Sequence, residues 1–320
     1  MPLSTGTRLR MAARQALTRA LDRIPQEAVH RVRQRYADAD GPARRALAPA
    51  AAVLRHRSLA PRADITVPGD PELRFVAVES RLTRLLYWYG ESGYEPGETR
   101  WWRLLCGQSR TIVELGANIG FYTVIGAHAA PDARYVAVEA NPESAAILRD
   151  NLALNDLSRV TVVNAAAVGD DAAGSTVELA LPDQERYAAP TGAYLATGTE
   201  GIAGRPATRT VTVPTVSAAT LLAGADLVKL DIEGMESEVL AAAWPSITSA
   251  RPVLVVEVLK RVPRLRQVIR DLHGLGYLAF AIGERSLHLL ENRDLDSDAP
   301  LPRFGSRDVV LVPAEKAGLL

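Results

Sequence analysis

The 320-residue chain has one cysteine, Cys106, so no intramolecular disulfide framework can form. A lone thiol fits a reducing compartment, and a cytoplasmic location is the expectation. Lysine is nearly as scarce: Lys229, Lys260 and Lys316 are the only lysines among 37 basic residues. The other bases are arginine, and 37 acidic residues bring the formal net charge to zero. A neutral chain lacks long-range attraction for polyanions, so nucleic acid is not an expected partner. No run of 18 apolar residues occurs, which leaves no transmembrane helix to predict. Arg8, Arg10, Arg14, Arg19 and Arg23 interrupt the N-terminal region, so a secretory signal is not expected there either. Paired cysteines and His-x-Glu arrangements are missing, which argues against zinc.

What the chain does have is the stretch Thr111-Ile112-Val113-Glu114-Leu115-Gly116-Ala117-Asn118-Ile119-Gly120-Phe121-Tyr122. It reads as an apolar strand, a glycine turn and a helix N-terminus, the arrangement by which α/β sheets receive a nucleotide-like ligand. Glycines there let backbone approach a ligand, and the first N–H groups of the helix are free to donate. A dinucleotide loop would need Gly at 118 and 121, where the chain has Asn118 and Phe121. Glu114 is badly placed for a polyphosphate and suits a cation, such as the amino group or sulfonium of S-adenosylmethionine. The next apolar run, Tyr135 to Glu139, ends in an acid 23 residues beyond Gly116, where ribose hydroxyls are commonly taken. Two acids flanking a glycine turn point to an adenosine carrying positive charge.

Four blocks stand in order: Gly90-Glu91-Ser92-Gly93-Tyr94-Glu95-Pro96, Val113 to Tyr122, Val138-Glu139-Ala140-Asn141-Pro142, and Val228-Lys229-Leu230-Asp231-Ile232-Glu233-Gly234-Met235-Glu236. Together they resemble the FkbM-type S-adenosylmethionine-dependent methyltransferases, over about residues 70 to 315. Glu114 stands where that family more often has Asp. The resemblance implies an α/β class I methyltransferase fold, a Rossmann-like, seven-stranded, doubly wound sheet. It also implies O-methylation of a hydroxyl on a polyketide, sugar or glycolipid. In that family the loop at 90–97 lies over the cofactor, so Tyr94 and Glu95 become rim candidates. The cofactor-binding set is then Glu95, Glu114, Gly116, Asn118, Gly120, Tyr122, Glu139 and Asn164, the last at a strand end near adenine.

The chain predicts three regions. Residues 1–62 form an arginine-rich helical extension, with Leu9, Ala13, Leu17, Leu21 and Ile24 at helical spacing and 13 arginines against four acids. Such an arm can cap its own domain, dimerise the chain or lie on an anionic membrane. Residues 63–110 hold a hairpin across the turn at 68–71 and helical segments leading to the core. Residues 111–320 alternate strand and helix, as a doubly wound sheet requires, with an insertion at about 174–213. Long insertions of this kind often serve function, so Tyr187 and Tyr194 are candidate acceptor contacts.

Methyl transfer from a sulfonium is an in-line displacement, and an alcohol attacks well only as its proton is removed. Asp231 is the first candidate for that role and Glu233 the second. Glu257, at the tip of the Val253–Glu257 strand, reads as structural. Asp231, Glu233 and Glu257 together could also offer oxygens to Mg²⁺, although a metal is not expected. Two rival readings remain, a methyltransferase-like scaffold that is catalytically silent and a nucleotide-dependent oxidoreductase.

Overall fold

The computed structural model describes residue 13 and residues 16–57, 64–67, 72–182, 193–195, 207–296, 301 and 307–320. Its strands are β1 (Ile65–Val67), β2 (Leu73–Phe75), β3 (Thr111–Leu115), β4 (Arg134–Val138), β5 (Thr161–Val163), β6 (Ala166–Val168) and β7 (Thr176–Pro182). They continue with β8 (Tyr194–Leu195), β9 (Ala207–Ser217), β10 (Leu227–Leu230), β11 (Val253–Glu257), β12 (Tyr277–Ile282), β13 (Leu287–Leu290) and β14 (Asp308–Pro313). The chain divides into two compact units, one ending at Tyr94 and the other beginning at Glu95.

In the first unit the helices Gln26–Asp38 and Gly41–Leu54 are separated by Ala39 and Asp40. Pro42 in the first turn has no N–H to leave unbonded, which suits it to a helix start. Strands β1 and β2 pair antiparallel, Ile65 opposite Phe75. The helix Arg81–Tyr89 starts at Ser80, whose side chain accepts from the Thr83 amide while Thr83 returns a bond to the Ser80 backbone. Of the expected stripe, Leu21 is buried and Ile24 half-buried, while Ala13 and Leu17 are exposed, and residues 16–22 are helical; Leu9 and the turn at 68–71 lie outside the described residues.

The second unit is built on an eight-stranded sheet in the order β13-β12-β14-β11-β10-β3-β4-β5. Strands β5, β4, β3, β10 and β11 run parallel; β14 runs antiparallel to β11, and β12 runs antiparallel to β14, so β12 points the same way as the central five. The central strands are near-continuous apolar runs, as parallel strands covered by helices on both faces must be. From β3 the chain winds outward through β4 and β5 and later, on the other side, through β10 and β11. The sheet therefore changes direction between β3 and β10, where α/β sheets open a crevice at the strand ends. The seven expected strands are present.

Strand β13 is an addition that the sequence did not announce. It forms a hairpin with β12, Ala279 opposite Leu290, at the sheet edge. Leu287-His288-Leu289-Leu290 lacks polar alternation, and Leu289 is half in solvent, so neither period nor burial marks it as a strand. Short β6 and β8 were also unannounced. They flank a second sheet, order β6-β9-β7-β8, in which β7 and β9, on either side of the insertion, pair with each other. Tyr194 lies in β8. Tyr187 lies outside the described residues. Among the described residues no helix is long and apolar enough to cross a membrane.

The helix Pro96–Cys106 packs on the helix Phe121–Ala129 at Gly126. A Cβ at Gly126 would come within 2.8 to 2.9 Å of Trp102 Nε1, Cys106 Sγ and Tyr135 Cε2. Fully buried Trp102 donates its indole N–H to the Tyr122 carbonyl at 2.9 Å, fixing the two helices against each other. Gly126→Val should therefore destabilise by about 1–3 kcal/mol through overpacking, read as a lower urea midpoint with unchanged slope.

Candidate functional site

Parallel register brings the site together. Leu115 lies opposite Val138 on one side and Leu230 on the other, and Leu230 lies opposite Val256. The residues that follow, Gly116, Glu139, Asp231 and Glu257, thus stand along the carboxyl edge of four adjacent strands. The amides of Gly116 and Ala117 both donate to the Val138 carbonyl, at 2.9 and 3.0 Å, and that of Asp231 donates to Leu115 at 3.1 Å.

Gly116 has φ +84°, and a Cβ there would sit 1.8 Å from the Asp231 carbonyl oxygen. Gly120 has φ +88°, and its Cβ would sit 2.3 Å from Leu148 Cδ1. These two glycines thus answer to the protein's own atoms, where the sequence suggested approach to a ligand. Between them Asn118, at φ +50°, donates its amide to Glu139 Oε2 at 2.7 Å. The Asn141 amide donates to Glu139 Oε1 at 2.8 Å. Each Glu139 oxygen receives one backbone N–H and keeps a lone pair, a capacity that matches two neighbouring hydroxyls. Burial pushes the Glu139 carboxyl up to about 7, against the lowering effect of both amides. Asn118 Oδ1 is buried without a hydrogen-bond partner, so this turn also holds an unused acceptor.

Two of the expected ligand contacts have protein partners. Glu114 is 1 % exposed, and its Oε2 accepts from both Thr123 Oγ1 at 2.8 Å and Tyr135 Oη at 2.5 Å. That carboxylate faces the helix–sheet layer and is occupied there, so it does not present itself to a cation. Burial pushes it up to about 7, with the two hydroxyls pulling the other way. Asn164 directs Nδ2 to the Glu139 and Ala140 carbonyls, at 2.8 and 3.1 Å. It braces the loop that carries Glu139; its amide nitrogen is committed to backbone.

A second group of charges surrounds Lys229. This side chain is 2 % exposed in a strand whose four residues are all buried. Its Nζ lies 2.8 Å from Glu98 Oε1 and 3.3 Å from Asp231 Oδ2, and 4.5 Å from the centre of the Tyr122 ring. The Tyr122 hydroxyl donates to Glu95 Oε2 at 2.8 Å, so Glu95, Tyr122, Lys229 and Asp231 are linked in sequence. Loss of hydration, followed by the charge of Glu98, pushes Glu95 up to about 7. Asp308 hydrogen-bonds Glu98, and burial first, then Glu98, holds its carboxyl well above the usual range. The Glu98 carboxyl itself is lowered by Lys229 against the effect of burial. Asp231, its side chain 34 % exposed, is the carboxylate on Lys229 with partial access, and Glu95 is exposed as well.

The loop after Asp231 turns sharply, with Glu233 at φ +54° and Gly234 at φ +101°. Buried Glu236 holds it by accepting the amides of Ile232 and Gly234, each at 3.0 Å. Oxygens of Asp231, Glu233 and Glu257 lie within 4.8 Å of one another, a spacing that a divalent cation would fit. Protein cations already touch two of them, since Arg307 lies 3.2 Å from Glu257 Oε1 and Lys229 pairs Asp231.

Sequence reasoning assigned no role to Glu98 or Asp308. A signal was present: a lysine inside the apolar run Leu227-Val228-Lys229-Leu230 is costly to bury unless acids meet it. Which acids those are depends on the fold. Asp308 at the head of Val309-Val310-Leu311-Val312 carried the same kind of signal.

This sheet, with its glycine turn after the first core strand and its acid after the second, defines a class I S-adenosylmethionine-dependent methyltransferase. Residues 114–279 match the methyltransferase FkbM domain, and the chain belongs to that family. A comparison with curated proteins returned no match. Among solved structures, the chain is similar to a methyltransferase FkbM from Methylobacillus flagellatus KT at 16 % identity and TM-score 0.40, covering 63 % of this chain and 43 % of that one. An O-methyltransferase from Bacillus cereus in complex with SAH has 15 % identity and TM-score 0.39, with 68 % and 81 % covered. A precorrin-6y C5,15-methyltransferase from Geobacter metallireducens GS-15 has 15 % identity and TM-score 0.34, with 65 % and 82 % covered.

Gly116→Ala should cost roughly 3 kcal/mol or more, because both the positive φ and a backbone oxygen oppose the new methyl. Gly120→Ala should cost less, since Leu148 Cδ1 is the end of a side chain that can turn; urea unfolding of the pair reads the difference. Glu114 titrates near 7 folded and near 4.5 unfolded, so its contribution is present below pH 4.5 and lost as pH rises through 7. Glu114→Gln should then be more stable than the parent at pH 8 by roughly 3 kcal/mol, with little difference at pH 4.5.

Proposed function

We propose that the chain is an O-methyltransferase whose acceptor is a hydroxylated small molecule or glycan, with Asp231 orienting the acceptor hydroxyl and taking its proton. One observation supports this most: Asp231 is partly open to solvent at the strand edge, directly beside Gly116, with one oxygen on Lys229 and the other without a partner among the described residues. Glu139 is the proposed ribose ligand, on the capacity of its two oxygens. Glu95 and Tyr122 join the rim of the same site, and Asn118 offers its unused acceptor. Glu233, in the loop held by Glu236, is a second acceptor-side carboxylate.

When bound, S-adenosylmethionine supplies an electrophilic methyl group on a positively charged sulfur. The chain's contribution is alignment and proton removal. Good alignment is worth roughly 7–11 kcal/mol, and a placed base contributes about 10²–10⁴-fold. As the new carbon–oxygen bond forms, the hydroxyl proton passes to Asp231, and the electron pair of the broken carbon–sulfur bond stays on sulfur. We expect no metal requirement, because Lys229 and Arg307 already meet the acid cluster with positive charge.

Calorimetric titration with S-adenosylmethionine, S-adenosylhomocysteine and NAD tests the cofactor, with binding of the two sulfur compounds alone expected. A panel of hydroxylated natural products and glycans, assayed with methyl-labelled S-adenosylmethionine, tests the acceptor class. Glu139→Ala should weaken S-adenosylhomocysteine binding by about tenfold or more. Unchanged affinity would remove Glu139 from the ribose. Asp231→Asn should bind within about threefold of the parent and turn over roughly a hundredfold slower. Turnover that survives EDTA treatment agrees with a metal-free reaction, and loss restored by Mg²⁺ would place a cation among Asp231, Glu233 and Glu257.

A further inference from the structure

An ammonium on a four-carbon stem is ordinarily free to move, but Lys229 is not. Removing such a charge from water costs several kcal/mol unless it is paired, so the partners dictate its position. Those partners differ in mobility. Glu98 is 2 % exposed within the first turn of the helix Pro96–Cys106 and is hydrogen-bonded by buried Asp308. Asp231, the second carboxylate on the ammonium, keeps 34 % of its side chain in solvent. The Tyr122 ring closes a further side of Lys229. Glu98 is thus the fixed end of the chain of contacts and Asp231 the end whose orientation remains to be set.

We propose that Glu98 is a positioning residue for methyl transfer, holding the Lys229 ammonium against Asp231 Oδ2 so that Oδ1 is turned to the acceptor hydroxyl. The proposal rests on the reading of Asp231 as the acceptor-side carboxylate. An aspartate without this anchor turns about two side-chain torsions and spreads its oxygens over several directions. Pinning one oxygen through Lys229 removes that freedom, and misplacement of about 1 Å at a reacting centre can cost on the order of a hundredfold in rate. Glu98 and Asp231 make no direct contact in this arrangement; their coupling runs through the ammonium.

The scarcity of lysine makes the test direct. In the full-length protein labelled with ¹⁵N at lysine Nζ there are three ammonium signals to assign, those of Lys229, Lys260 and Lys316. Lys260→Arg and Lys316→Arg identify the Lys229 signal by elimination. With ¹³C-labelled aspartate, Asp231→Asn identifies the Asp231 carboxyl carbon. The expected result is that Glu98→Gln displaces the Asp231 carbon signal, although it does not touch Asp231, and broadens the Lys229 nitrogen signal. Glu98→Asp should bring both part of the way back. An Asp231 signal unmoved by Glu98→Gln overturns the proposal. Should Glu98→Gln fail to fold, the partly exposed Asp231→Asn decides instead, because a Lys229 nitrogen signal unmoved by that change overturns it equally. On an acceptor that the panel turns over, Glu98→Gln should lower kcat by about tenfold or more and leave KM for S-adenosylmethionine within about threefold. Full turnover by Asp231→Asn with the coupling intact would sink the role of Asp231, whereas an inactive Asp231→Asn with no coupling would sink only the role of Glu98.

Discussion

The acidic site depends on one buried ammonium. Without Lys229, the side chains of Glu98, Asp231 and Asp308 would crowd negative charge into a space with almost no water. With it, the Glu98 carboxyl is lowered against the effect of burial, and Asp231 meets a cation while part of its side chain stays in solvent. Loss of one partner of such a pair typically leaves a buried charge uncompensated, at a cost of about 3–5 kcal/mol. A strand that could have been wholly apolar carries Lys229 instead, and the chemistry of the neighbouring strand ends follows from that choice.

Backbone contact makes the second constraint. Strands β3 and β10 approach so closely beyond their last paired residues that Gly116 has no room for a methyl group against the Asp231 carbonyl. The same contact sets the turn that carries Asn118 beside the strand end that carries the proposed base. Glu139 then ties the turn to the next strand through the amides of Asn118 and Asn141. Carboxylate, turn and base are therefore held in one hydrogen-bonded unit, and the spacing a transfer reaction requires is built into the sheet.

Much of the core could be read from residue pattern. Apolar runs ending in Glu114, Glu139, Asp231 and Glu257 mark four parallel strands, because strands buried on both faces leave no polar alternation. Asn141-Pro142-Glu143 marks a helix start, and the Asn141 side chain accepts the Glu143 amide as expected. Edge elements were less legible: β13 is largely exposed, with Leu290 its one buried residue, and β6 is three residues long. Among the site residues, Glu139 and Asp231 stand at the edge where the sequence put them. Glu114 and Asn164 stand there too but spend their side chains on the protein itself.

The sequence by itself determined the sheet, the turn, the family and the acids and lysine that the site would have to accommodate, since these follow from period, glycine placement and order along the chain. Only the tertiary structure decided which acid meets which cation. Glu98, Lys229 and Asp308 are separated by 131 and 79 residues, and no local pattern couples them. Their meeting depends on strand register and helix packing, and those long-range contacts also decide which carboxylates are occupied inside the protein and which remain open to a ligand.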